Sequence, residues 1–113
     1  MEGYGMMCGA GELRGVELTI FGRKIFALVD SGATHSFLTP EMVDVFQLKT
    51  SPVPRPVVLL MGNRSETVVA EAVKDLYLKV GKLGFKGNFL VAPVPFDVVL
   101  GLDWLQYLKA TTD

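Results

Sequence analysis

Cysteine and histidine are almost absent from this chain, and their scarcity excludes two ways of stabilising a small domain. The single cysteine, Cys8, cannot form an intrachain disulfide. With His35 as the single histidine, the chain also lacks the ligands of a structural zinc site. We therefore expect no metal and no cofactor. We also expect the protein to work in a reducing compartment, which favours the cytoplasm.

Strong net charge and long apolar runs are lacking as well. The 11 basic residues nearly balance the 12 acidic ones, so there is no basic stripe for a phosphate backbone, and we expect no nucleic-acid partner. No apolar run approaches the roughly 20 residues that a membrane-spanning helix needs, so we expect no membrane partner either. A half-hydrophobic chain of 113 residues instead fits one folded domain with its own core.

The apolar residues that are present follow strand periodicity over most of the chain. Residues 16–20 alternate between apolar and polar, and residues 25–29 form a continuous apolar run, which predicts a half-buried strand followed by a fully buried one. Similar patterns predict further strands at 57–61, 67–72, 76–80, 85–92 and 98–100. Pro52, Pro54 and Pro56 predict a stiff surface connector instead of a strand centre.

Helical spacing is confined to two short segments. Thr39 is a capping residue followed by Pro40, which predicts a helix start, and Asp103 is expected to cap a second helix over residues 103–109. Residues 1–12 are rich in Gly and Met without a period, so we expect an N-terminal arm, an intersubunit strand or a non-native remnant there. Residues 13–113 are then the folded domain, which we expect to be mostly β, with about seven strands.

One carboxylate stands out as a catalytic candidate. In the stretch FALVDSGATHSFL an apolar run leads directly into Asp30 and a Ser31-Gly32 turn, and such a bend is expected to expose the carboxylate while its neighbours stay buried. An Asp-Ser-Gly turn alone is common, because Asp and Ser side chains bond back to the nearby backbone. The prediction is strengthened by a second apolar run, which ends in Gly101 and precedes a helix.

These two elements together resemble the retropepsin-like aspartic proteases, specifically the gypsy-type LTR retrotransposon branch of the retroviral protease family. VDSGATHSFL is similar to that family's active-site signature, and FDVVLGLDWL is similar to its later element of apolar residues ending in Gly. The resemblance covers about residues 13–109 in the expected order. It implies a small closed β-barrel of the acid-protease type, with a flap hairpin and one or two short helices.

The resemblance also implies a homodimer. Peptide hydrolysis without a metal needs one acid and one base, and this chain carries one Asp-Ser-Gly turn. Asp30 of each subunit would therefore meet its copy at a two-fold axis and share a proton with it. The implied activity is that of an aspartic endopeptidase acting on extended peptide segments, with polyprotein processing in the cytoplasm or within virus-like particles.

Further site residues follow from the same resemblance. The flap would be a mobile lid over the bound peptide, and the residues next to Asp30 would support the catalytic carboxylates. The implied supporting residues are Ser31, Gly32 and Ala33, and the implied flap residues are Met61, Gly62 and Asn63. For the flap residues the alternative is a plain surface hairpin, and for the residues next to Asp30 it is a simple turn.

Two other interpretations of the whole chain stay open. The first is a catalytically idle, domesticated relative that uses the same fold for dimerisation or peptide binding. The second is a protease domain of the ubiquitin-shuttle type, which shares the Asp-Ser-Gly and Leu-Gly-Leu-Asp elements. Thr34 and Leu102 occupy positions where many retroviral enzymes carry an acidic residue and an arginine. We therefore expect stabilisation of the dimer to come from elsewhere.

Overall fold

The computed structural model describes residues 14–30, 32–60 and 64–104, and every structural statement below concerns those ranges. Strands account for most of them, as the alternating apolar pattern predicts. In chain order the elements are β1 (Arg14–Ile20), β2 (Arg23–Val29), β3 (Phe37–Leu38), α1 (Pro40–Phe46), β4 (Ser51–Leu60), β5 (Glu66–Val80), β6 (Leu83–Val91) and β7 (Val98–Leu100). A helical turn follows at residues 102–104.

Six of the strands close into a barrel. The sheet order β1-β2-β7-β3-β6-β5 returns to its start, because β5 also pairs with β1 where Lys79 lies opposite Thr19. The seventh strand, β4, lies outside this ring and pairs with the first half of β5 to form a hairpin. The prediction of a mostly β, closed acid-protease barrel with a projecting hairpin and short helices is therefore confirmed.

A parallel pairing brings the two sequence motifs together. β7 runs parallel to β2, with Ala27 opposite Val98 and Val29 opposite Leu100. On its other side β7 pairs antiparallel with the short strand β3, which in turn pairs with β6. Because parallel strands end at the same edge of a sheet, Asp30 and Gly101 follow directly after two adjacent strand ends.

Two apolar clusters support this arrangement from either face of β2. Ile25 and Ala27 belong to a cluster shared with β5, β6 and the residues that pack α1 against the barrel. Leu28 belongs to the second cluster, shared with the β4–β5 hairpin. The prediction that this strand is buried on both faces holds near its end but not at Phe26, whose exposed ring lies over Gly15 on the neighbouring strand.

The proline-rich segment departs from the sequence prediction. Pro52, Pro54 and Pro56 lie inside β4, not in a connector before it. The strand tolerates them because its single partner in the described part of the chain is β5, and because the pairing is interrupted between Pro52 and Val57. Pro54 and Pro56 fall within this interruption, where their missing N–H donors leave no bond to β5 unmade.

The other elements follow the predictions with one merger and one addition, the two-residue strand β3, which the sequence did not indicate. The separate strands expected at 67–72 and 76–80 form one long strand, β5, which carries a bulge between Val73 and Leu76. The cap of α1 is Thr39, whose hydroxyl accepts a bond from the Met42 N–H, as predicted. The expected N-terminal arm, the flap tip at 61–63 and residues 105–109 lie outside the described residues. No described helix is long and apolar enough to cross a membrane.

Candidate active site

Asp30 follows β2 directly and is fixed by short backbone bonds. Its N–H donates to the carbonyl oxygen of Leu100 at 2.9 Å, which ties the catalytic candidate to the end of β7. Its own carbonyl oxygen accepts from Ala33 N–H at 3.1 Å, so the chain turns back within three residues. The Gly32 N–H donates to Asp30 Oδ1 at 2.9 Å, a bond that fits both the predicted supporting role of Gly32 and a simple turn.

The carboxylate of Asp30 is buried, in contrast to the exposure that the sequence suggested. The residue is 5% exposed in the single chain. Oδ1 has the Gly32 bond, but Oδ2 is buried without a hydrogen-bond partner among the described residues. Burying a carboxylate oxygen without a partner is unfavourable, and such groups concentrate where function requires them.

Gly101 allows the second motif to lie against the catalytic loop, which we define as residues 30–36. A Cβ atom built on Gly101 would overlap the backbone carbonyl oxygen of His35 and lie 2.7 Å from that of Ala33. The next residue, Leu102, donates its N–H to Ala33 O at 2.7 Å. The Gly at the end of the second apolar run is therefore required by close backbone contact.

Ser36 is a site residue that the sequence analysis missed. Its hydroxyl is buried, donates to Asp103 Oδ1 at 2.8 Å and accepts from the Gly101 N–H at 3.0 Å. Ser36 and Asp103 are separated by 67 positions, and neither residue alone carries a recognisable motif. The signal that could have found the contact is their position, since Ser36 lies within VDSGATHSFL and Asp103 within FDVVLGLDWL.

The other polar residues considered from the sequence have ordinary local roles. Asp103 accepts from the Trp104 N–H at 2.6 Å, so it lies within the first helical turn and does not precede it as a cap. Asp97 is exposed. The exposed His35 shares a 2.9 Å hydrogen bond with the Thr34 hydroxyl. Ser31, Met61, Gly62 and Asn63 lie outside the described residues, so their predicted roles stay predictions.

A family model described as aspartyl protease matches residues 16–104, which include both motifs and every described strand after β1. The chain belongs to the aspartyl protease family. No curated protein matches its sequence significantly. Among the 262 solved chains that match in structure is the retroviral protease-like domain of Ddi1 from Leishmania major, with a TM-score of 0.62. The two are 17% identical, and the match covers 88% of this chain and 77% of that one, which supports a common fold.

The β4–β5 hairpin of this aspartyl protease family member packs over the catalytic loop. Leu59 and Val69, one from each strand, lie in the same buried cluster as Ala33 and Leu28. On the opposite face Val58 and Val68 are cross-strand partners and are exposed. The part of the hairpin next to residues 61–63 thus packs against the residues around Asp30.

Proposed function

We propose that this chain is a homodimeric aspartic endopeptidase of the gypsy-type retrotransposon branch, in which Asp30 of each subunit forms the catalytic dyad. The observation that carries the proposal is the state of Asp30. It is a buried carboxylate with one oxygen held by Gly32 and the other without a partner among the described residues. Once the loop opens, a second copy of the same carboxylate would supply both the missing partner and the second catalytic group.

The proposed reaction divides the acid and base roles between the two copies of Asp30. The ionised copy takes a proton from the attacking water, while the protonated copy donates a hydrogen bond to the scissile carbonyl oxygen. The water oxygen then bonds to the carbonyl carbon, and collapse of the tetrahedral intermediate breaks the C–N bond as the amine leaving group takes the proton that Asp30 removed from the water. The Gly32 N–H holds Oδ1 in a fixed direction throughout.

The proposed substrate is an extended peptide, processed from a polyprotein. β4 pairs with β5 alone in the described part of the chain, so its other edge is available for strand-like pairing with a peptide. Three prolines remove donors from the first half of β4, which leaves residues 57–60, beside the predicted flap tip, as the pairing segment.

The decisive experiment compares the wild-type protein with Asp30→Asn. Asparagine keeps an Oδ1 acceptor for Gly32, so we expect the fold and the dimer to be retained while cleavage of a peptide library is lost. Sedimentation gives the oligomeric state, and a statine-like transition-state mimic should block the wild-type activity. Cleavage by Asp30→Asn at the wild-type rate would refute the assignment.

The burial of Asp30 also favours a second candidate function. A carboxylate that is 5% exposed in the single chain is poorly placed to activate water unless assembly or loop opening uncovers it. A retropepsin-like domain that serves dimerisation or peptide binding without catalysis would have the same fold. A wild-type dimer that binds peptides of the library but cleaves none would favour this candidate over the endopeptidase.

A further inference from the structure

Ser36 lies at the end of the catalytic loop and connects it to two other segments, the residues that follow β7 and strand β6. Its hydroxyl bonds to both Gly101 and Asp103, and its backbone carbonyl accepts from the Leu90 N–H of β6 at 2.9 Å. The side chain is 2% exposed, so water does not substitute for these bonds. A buried hydroxyl with both a donor and an acceptor partner fixes the orientation of its neighbours.

Asp103 forms the other half of this contact. One oxygen, Oδ1, accepts from the Ser36 hydroxyl and from the Trp104 N–H, so it links the loop to the helical turn at residues 102–104. The residue itself is exposed and belongs to neither buried cluster. Bonds to an ionised acceptor are stronger than neutral ones.

We propose that Ser36 and Asp103 form a bridge that positions the catalytic loop for the reaction, an inference that rests on the endopeptidase function proposed above. The start of the loop is held by Asp30 N–H to Leu100 O, and its middle by Leu102 N–H to Ala33 O. The bridge holds its far end to the same segment, beside the bond that the Gly101 N–H donates to the Ser36 hydroxyl. With all three contacts in place, Asp30 cannot shift relative to β7.

The bridge acts on catalysis through geometry and not by contact with substrate. Misplacement of a catalytic group by about 1 Å can reduce a rate about 100-fold, whereas a change of that size hardly alters the area available to bind a peptide. We therefore expect loss of the bridge to lower kcat at nearly unchanged KM. A residue that only stabilised the fold would lower the fraction of active protein and leave the kcat of each active site unchanged.

The test measures kcat per active site, titrated with a statine-like inhibitor, for Ser36→Ala, Asp103→Ala and Asp103→Asn. Asparagine keeps an oxygen acceptor for Ser36 and Trp104, so Asp103→Asn should retain most of the activity. The two alanine variants should lose about 10-fold or more in kcat. Asp44→Ala, which removes an exposed carboxylate from α1, is the matched control and should equal the wild type.

The outcomes separate this inference from the proposed function. A wild-type dimer without any cleavage refutes the endopeptidase function, and the bridge with it. An active wild type whose Asp103→Ala variant keeps the wild-type kcat per site refutes the bridge alone, and this holds even where Ser36→Ala does not fold. Equal losses for Asp103→Ala and Asp103→Asn would also contradict it, because the asparagine retains the proposed acceptor.

Discussion

Replacing Gly101 with alanine should disrupt the close contact between the catalytic loop and the segment of residues 100–102. The new Cβ would overlap His35 O and lie 2.7 Å from Ala33 O, and both are backbone atoms that no rotamer change can move. Real Cβ atoms essentially never approach another atom within 3.0 Å. The chain must therefore move the catalytic loop and the residue 100–102 segment apart.

The size of the effect follows from the bonds that this movement breaks. Three hydrogen bonds join the two segments around Gly101: Asp30 N–H to Leu100 O at 2.9 Å, Leu102 N–H to Ala33 O at 2.7 Å and Gly101 N–H to Ser36 Oγ at 3.0 Å. Each is worth about 1 kcal/mol net. Their loss should lower the free energy of unfolding by about 3 kcal/mol, and cleavage should fall with it.

Denaturant unfolding of Gly101→Ala beside Gly87→Ala tests this reasoning. A Cβ on Gly87 would come no closer than 3.3 Å to the Phe89 ring, and its three nearest atoms all belong to side chains, so it would overlap no backbone atom. The control should therefore change the free energy of unfolding by less than about 1 kcal/mol. The reasoning is wrong if Gly101→Ala unfolds within about 0.5 kcal/mol of the wild type.

Two further predictions concern the core and the pH dependence of cleavage. Phe85 is fully buried with its ring edge-on to Trp104 at 5.8 Å, so Phe85→Ala should lower the free energy of unfolding by about 3–5 kcal/mol. A loss below about 1 kcal/mol in denaturant unfolding would contradict that packing. The proposed dyad needs one shared proton, so kcat/KM should fall as rising pH removes it. A pH–rate profile that climbs steadily above neutral pH would argue against the dyad.

The fold could be predicted from the sequence where one periodicity dominates. The alternation at residues 16–20 and the helix start at Thr39 both depend on neighbouring residues, and both predictions are confirmed. The strand assignment of Pro52 to Pro56 could not be predicted, because it depends on β4 being an edge strand with a bulge. The merger of two predicted strands into β5 likewise depends on partners on both sides, which local sequence does not contain.

The candidate site could be predicted in its parts but not in its contacts. Asp30, Gly32 and Gly101 were identifiable because turns and apolar runs are local features, and the structure places them together. The burial of Asp30 was not predictable, since it depends on how distant segments pack against the loop. The Ser36–Asp103 bond was missed for the same reason: each residue has an adequate local explanation, and its partner lies 67 positions away.

The order of the strands along the chain explains why the candidate site depends on the whole domain. β2 and β7 pair in parallel, and β3, α1 and the β4–β5–β6 meander all lie between them in sequence. Pairings of such long sequence separation form late, because the entropy of closing the intervening chain must be overcome first. The bonds that join Leu100 and Leu102 to the catalytic loop depend on that pairing, because it places both residues beside the loop. A substitution that destabilises a strand far from Asp30 can therefore displace the Asp30 carboxylate, even though the substituted residue does not contact it.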